Sequence, residues 1–265
     1  MKNSASDAAD EATETRYKAP ALEKGLDVLE LLVTEASPMT MAEICNRLGR
    51  TQGEMFRMVQ VLSFRGYLAQ DKSSDGYYVS DRLFSMAMQQ PRTRGLVELA
   101  LPRMRSLAMK AGQSCHLSMF SHGETVVVAR MESDEQLGFT VRVGYRASAL
   151  QTTSGLMLFS AQPPDIRERW IGQLPATTKR KDIDEFIMRA DAAAKAGYVC
   201  AKSGFVDGVT DIAAPIFRGG RAVAALAMPF IRQTLARIGL EESTQLLITV
   251  AKEISAELHQ ADNRV

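Results

Sequence analysis

Cysteine is scarce and badly placed for cross-linking: Cys45, Cys115 and Cys200 are three in number, widely spaced, and form no C-x-x-C pair. That pattern excludes a disulfide framework or a zinc ribbon, and all three read as small buried apolar residues. The sequence also lacks H-E-x-x-H, G-x-S-x-G, a Walker loop and a dinucleotide-binding fingerprint. Cys115 and His116 are neighbours on a predicted strand, so their side chains point to opposite faces and cannot form a nucleophile–base dyad. His116 and His122 have no carboxylates arranged nearby to complete a metal site. No catalytic residue, metal or cofactor is therefore expected. No apolar run approaches the length of about 20 residues that a membrane helix needs. The opening stretch MKNSASDAADEATET is polar and acidic, unlike a secretion signal, so a cytoplasmic protein with no membrane partner is expected. The net charge of +1 points to no class of partner.

What is present is a soluble globular composition, 46% hydrophobic and 24% charged, on a chain long enough for two domains. Residues 1–19, rich in Ala, Ser, Thr, Asp and Glu, offer too little apolar surface to order a backbone. Leu22, Leu26, Leu29 and Leu32 with Val33 then form a helical stripe that ends before Ser37-Pro38. Thr40 with Glu43, and Thr51 with Glu54, both match the capping box, and Leu48-Gly49 between them supplies a left-handed stop. Thr40 to Gly66 is thus two short helices joined by a tight turn. In the second, Met55, Met58, Val59 and Leu62 face inward, while Gln52, Gly53, Phe56, Arg57 and Gln60 face out. From Pro20 to Gln90 seven basic residues meet nine acidic ones, a balance of −2, yet between Arg47 and Arg65 four Arg meet only Glu54. A local basic stripe on a neutral module fits a DNA-contacting surface, although a solvated helix face also produces one. Tyr67–Ala69 and Tyr77–Val79 flank the turn cluster Lys72–Gly76, which predicts a β-hairpin and completes a winged helix over residues 20–83.

Residues 84–112 read as linker helices, with Pro102 a kink or restart. Beyond Gly112 the period becomes alternating. Strands are expected at Ser114–Phe120, Glu124–Met131, Gly138–Val143, Tyr198–Ala201, Val209–Phe217 and Ala222–Met228, and helices around Leu156–Phe159, Ile183–Ala194 and Leu247–Leu258. The simplest assembly over residues 113–265 is α+β, an antiparallel sheet flanked by helices. Thr152, Thr153 and Ser154 open one of those helices. A first turn leaves N–H groups free and carries partial positive charge, so this site suits the carboxylate of a small acid; ordinary N-capping by one Thr is the alternative.

As a set, four segments resemble the IclR family of bacterial transcriptional regulators: ALEKGLDVLELL, MTMAEICNRLGRTQGEMFRMVQVLSFRGYL, VRVGYRASALQTTSGLMLF and AGYVCAKSGFVDGVTDIAAPIFRGGRAVAALAMPF. The resemblance spans about Pro20 to His259. It implies an N-terminal winged helix-turn-helix, a linker helix used in dimerisation, and a C-terminal GAF-like domain that binds a small effector, commonly an organic or aromatic acid. It places base-reading positions on Gln52, Gly53, Glu54, Phe56 and Arg57, and effector positions on Thr152, Thr153, Ser154 and Asp211. Ala227 and Pro229 stand where some members have Ser, which leaves that wall less polar. Lys72 on the hairpin is expected to touch the DNA backbone beside the groove.

The expected protein is a homodimeric or tetrameric, effector-responsive regulator of a catabolic operon, bound to a pseudo-palindromic double-stranded DNA operator. The competing class is an enzyme or sensor whose winged helix makes only protein contacts, and a dimerisation module is a third.

Overall fold

The structure, a computed structural model, describes residues 19–35, 37–89, 91–135, 138–234 and 237–262. The expected unstructured tail lies almost entirely outside them. The chain divides into two compact units, with the boundary between Gln90 and Pro91.

The first unit contains α1 (Pro20–Thr34), α2 (Met41–Leu48), α3 (Gln52–Phe64), β1 (Leu68–Gln70), β2 (Tyr77–Val79) and α4 (Arg82–Gln89). α2 starts where Thr40 Oγ1 accepts the Glu43 N–H at 3.3 Å and Glu43 Oε2 accepts the Thr40 N–H at 2.7 Å, so two orphan donors are satisfied reciprocally. Gly49, in the left-handed region at φ 63°, ends α2 and lets α3 begin almost at once. At α3 the cap is made from the acid: Glu54 Oε2 accepts the Thr51 N–H at 3.1 Å and its hydroxyl at 2.9 Å. Ile44, Met55 and Val59 pack with Val28 and Leu32 of α1 into one core, joined by Met39, Leu68 and Tyr77. The expected stripe on α1 is rotated. Gly25, Val28 and Leu32 are buried, whereas Leu22, Leu26 and Val33 are exposed. β1 and β2 form the predicted hairpin, and Met39 adds a bridge to Tyr77.

The second unit contains α5 (Pro91–Ala111), β3 (Cys115–Ser121), β4 (Glu124–Met131), β5 (Arg146–Ser148), α6 (Thr153–Ser160), α7 (Pro164–Ile171), α8 (Arg180–Ala196), β6 (Val199–Lys202), β7 (Val209–Arg218), β8 (Arg221–Ile231) and α9 (Leu240–Asp262). Its strands make one antiparallel sheet in the order β5-β4-β3-β8-β7-β6. One face sends Leu117, Ile212, Ala214, Ile216, Leu226 and Met228 against α5 and α9, with Met104, Leu107, Leu247 and Ile254 opposite. From the other face Ala213 and Ala227 meet α6 and α8 through Leu156, Met157, Phe159, Phe186 and Ala190. α5 runs through Pro102 without ending, since that residue is exposed and loses only one N–H bond on the solvent side.

Two further expectations are corrected, and one element is new. Gly138–Val143 is not a strand: a turn at Gly144, φ 85°, leaves only the exchange between Gly144, Tyr145 and Val127, and the edge strand is Arg146–Ser148 instead. α7 was not foreseen; it is held by Trp170, which stacks on Phe120 with ring centroids 3.4 Å apart. Cys45 and Cys115 are buried, but Cys200 is exposed, because it alternates with buried Val199 on the outermost strand.

The start of α6 lies hard against the turn before it. A Cβ on Gly155 would sit 2.2 Å from the Ala149 carbonyl oxygen. Gly155→Ala must therefore push α6 off that turn, with an expected loss of about 1–3 kcal/mol typical of overpacking. Urea denaturation checks this, and a parent-like midpoint would mean that the close approach is unimportant.

Candidate functional site

On α3 the buried positions are Met55 and Val59, and the helical period leaves Gln52, Gly53, Phe56, Arg57 and Gln60 exposed together. Phe56 is 51% exposed, an aromatic ring with no core to fill, beside a guanidinium and two amides. The basic stripe is narrower than composition suggests. Arg47 Nη2 lies 2.6 Å from Glu35, so among the described residues Arg50, Arg57 and Arg65 are the stripe cations without a carboxylate partner. Glu54 is not free to meet a partner: Lys24 Nζ of α1 donates to it at 2.8 Å. That ammonium, then the Thr51 backbone and hydroxyl, hold the carboxyl down to about 2. Lys72 is exposed on the hairpin turn. Asp71 shapes that turn by accepting from the Ser73 hydroxyl at 2.5 Å and from the Ser74 hydroxyl and N–H at 2.6 and 3.1 Å, which holds its own carboxyl at about 2.

In the second unit a cavity of about 310 Å³ opens over the sheet face that α6 only partly covers. Thr152, Thr153, Ser154, Asp211, Ala227 and Pro229, the six positions singled out from sequence, all line it. The sheet register explains the grouping. Asp211 pairs with Pro229, and Ala227 lies between Ala213 and His116, so these side chains rise from one face. An extra residue in β4, opposite the Leu117–Ser118 step, turns Val127 into the cavity while Ala129 joins the core. Sequence reasoning did not assign His116, Ser118, Thr125, Phe139, Tyr145, Ser203 or Phe205 to this cavity. For His116 the alternation against buried Cys115 was the available signal.

The chemistry is divided. Val127, Phe139, Val141, Tyr145, Phe205 and Val206 supply apolar and aromatic walls. At the α6 end, Thr152 Oγ1 accepts the Gly155 N–H at 2.9 Å and lies 3.1 Å from the Thr125 hydroxyl, so this residue is a genuine N-cap. Capping and a pocket coexist, since the other first-turn N–H groups have no acceptor within the helix. Burial raises the Asp211 carboxyl above its ordinary range, against hydroxyls of Ser203 and Thr153 that donate to it and pull it back. Burial also lowers His116 to about 4, so its imidazole is neutral near pH 7 and offers one donor and one acceptor. Thr140 brings a buried hydroxyl with no protein partner to the same wall. Arg142 lines the cavity, whereas Arg146 is taken by Glu124 at 2.7 Å.

Comparison with known proteins settles the family. Residues 89–256 match the family profile of the bacterial transcriptional regulator IclR C-terminal domain, and residues 21–72 match the IclR helix-turn-helix domain. The chain belongs to the IclR family of DNA-binding transcriptional regulators. The regulator BhcR of Paracoccus denitrificans is 26% identical over 247 residues, covering 89% of this chain and 86% of its own length. The regulator KdgR of Escherichia coli K12 is 24% identical over 233 residues, 86% and 89% of the two chains. Among solved structures, an IclR homolog of Microbacterium hydrocarbonoxydans complexed with 4-hydroxybenzoate shares the fold at TM-score 0.75 and 24% identity, covering 90% of this chain and 98% of that one. HmgR of Pseudomonas aeruginosa shares it at TM-score 0.71 and 16% identity, covering 91% and 100%. No helix among the described residues is long and apolar enough to cross a membrane.

The Lys24–Glu54 contact ties α3 to α1, and its pH dependence has a definite sign. Glu54 is held below its ordinary 4.5, so its stabilising contribution is complete above about 4.5 and fades as pH falls toward about 2. Glu54→Gln is expected to melt below the parent at pH 7, with the gap closing across that acid window. Thermal melts at stepped pH test it; a gap that persists at pH 2 would assign the effect to packing.

Proposed function

We propose that this IclR-family protein represses or activates a catabolic operon by binding a pseudo-palindromic DNA operator as a homo-oligomer, in response to a small organic acid. The observation that carries the DNA half is the exposed face of α3, where Gln52, Phe56, Arg57 and Gln60 lie together without a packing role. Arg and amide side chains are the groups that read base edges in a major groove, and Phe56 suits a thymine methyl. Gly53 allows close approach there, and Glu54 serves as a brace through Lys24 and does not read bases. Lys72 and the unpaired Arg50 and Arg65 meet phosphates, positioning without specifying. Two copies of α3 related by a two-fold axis require half-sites spaced by helical turns.

The observation that carries the effector half is the cavity of about 310 Å³ with aromatic walls and donors gathered at the α6 N-terminus. An acid group fits the first-turn N–H groups of Thr153 and Ser154, with Arg142 close by. Asp211 repels a second carboxylate, so the opposite end of the ligand carries a donor, a hydroxyl or amine, toward Asp211 and neutral His116. Ala227 and Pro229 keep the floor between them apolar. A hydroxylated aromatic acid meets all three demands, and the 4-hydroxybenzoate complex of the Microbacterium homolog supports that class.

Two outcomes follow. Arg57→Ala should weaken operator binding by roughly 1–3 kcal/mol in a salt-controlled mobility shift, with relaxed preference at one base pair if the contact is to a base. Unchanged binding would remove Arg57 from the interface. Asp211→Asn and Thr153→Val should leave operator affinity of the ligand-free protein at the parent value. Both should shift the concentration of hydroxylated aromatic acid needed to change it. Identical titrations in both variants would place the effector elsewhere.

A further inference from the structure

A second cavity, of about 340 Å³, lies in the same unit where β6 stops and β7 continues. β6 pairs with β7 only as far as Val199 opposite Ala213, so the outer edge of β7 beyond that point has no neighbouring strand. Met157 of α6 and Ala194 near the end of α8 bound the gap on one side, and Ile248 and Lys252 of α9 on the other. It shares no lining residue with the cavity described above.

An open strand edge ordinarily invites another strand. This one withholds the donors a ladder needs. Pro215 has no N–H, and the Phe217 N–H is donated to Ser255 Oγ at 2.9 Å. An extended peptide is thereby disfavoured, and a small molecule remains as occupant. The walls, Met157, Phe217 and Ile248 among them, are mostly apolar; the hydroxyls of Ser160 and Ser255 are donated to carbonyls of their own helices, and Lys252 is the single charged residue. Its ammonium has no carboxylate partner among the described residues, and no acid stands one helical turn away from it, since Ile248 and Ala256 hold those positions.

We propose that this cavity is a second ligand site, which takes a monocarboxylate with a compact apolar body. The acid sits on the Lys252 ammonium and the body lies between Met157, Phe217 and Ile248. The site is independent of the effector class assigned to the first cavity. It differs in chemistry too: it has no counterpart of Asp211 or His116, so it asks for no donor on the ligand.

The test is calorimetric titration of the full chain with 2-naphthoate, in a Val206→Trp background that narrows only the first cavity. That protein should still bind the probe. Adding Ala194→Leu, an exposed helix position that fills the second cavity, should weaken binding by about ten-fold or more. In the same background Lys252→Gln should weaken it several-fold, and neutral 2-naphthamide should bind the Val206→Trp protein no better than naphthoate binds its Lys252→Gln variant. Circular dichroism melts establish that each variant is folded; were Ala194→Leu unfolded, Lys252→Gln and the amide decide alone. Loss of all binding with Val206→Trp would overturn the proposal, as would binding indifferent to both second-cavity changes. A change of oligomeric state in light scattering, with naphthoate binding intact, would assign this face to a second copy of the chain and overturn it too.

Discussion

Along β7 and β8 consecutive side chains must take opposite faces of the sheet, and the second unit depends on how that constraint is met. Ile212, Ala214, Ile216, Leu226 and Met228 go one way and are sealed completely by α5 and α9. Burial of this face, at about 25 cal/mol per Å² of apolar surface, is what fixes strand register, because a slip of one residue would turn it to the other side. With register fixed, Asp211, Ala227 and Pro229 have no choice but to face α6. That helix and α8 cover only part of the second face, and the uncovered part is the cavity. The pocket is thus a consequence of one face being packed fully and the other incompletely.

Features set by neighbouring residues were legible in the sequence. The two helix starts at Thr40 and Thr51, the stop at Gly49 and the hydroxyl-rich start at Thr152 all rest on contacts within one turn, and all appear. Features set by distant partners were not. α7 does carry local signals, Pro164 at its start, the Asp165–Arg169 pair and Gly172 at its end, but its docking through Trp170 on Phe120 across the fold is not among them. The alternation at Phe139 and Val141 is real, but it serves a segment that lines a cavity, and a pocket wall and a strand face impose the same period. On α1 the leucines advertise one stripe, while the buried line passes through Gly25, Val28 and Leu32, on the side that meets α3 and the hairpin. Periodicity identifies a helix; it does not say which of two adjacent stripes finds the partner.

The charge reading was refined in a similar way. Four Arg against one Glu between Arg47 and Arg65 looked like a stripe with a flaw in it. In the fold Arg47 is spent on Glu35, and Glu54 is held by a lysine from another helix. What faces solvent is therefore smaller in charge and more sharply placed: Arg50 before α3, Arg57 in its middle and Arg65 at its end. These exposed pairs add little to stability individually, so their value lies in which cations they leave available.

The same element, a helix opening on a threonine, is put to opposite uses in the two units. The N-terminus of any helix carries partial positive charge and unfilled N–H groups, so it attracts an anion. At α3 that anion is built in: the Glu54 carboxylate sits at Thr51 and is drawn down to about 2, first by the Lys24 ammonium and then by the Thr51 N–H and hydroxyl. A phosphate or ligand acid has no place left there, so what α3 offers a partner is its side chains. At α6 the first turn contains no acidic residue, and the cap is the uncharged hydroxyl of Thr152. Its positive end stays uncompensated and opens onto a cavity whose carboxylate, Asp211, is already engaged by Ser203 and Thr153. One acid, present in one first turn and absent from the other, separates a helix that presents side chains from a helix that presents its own dipole.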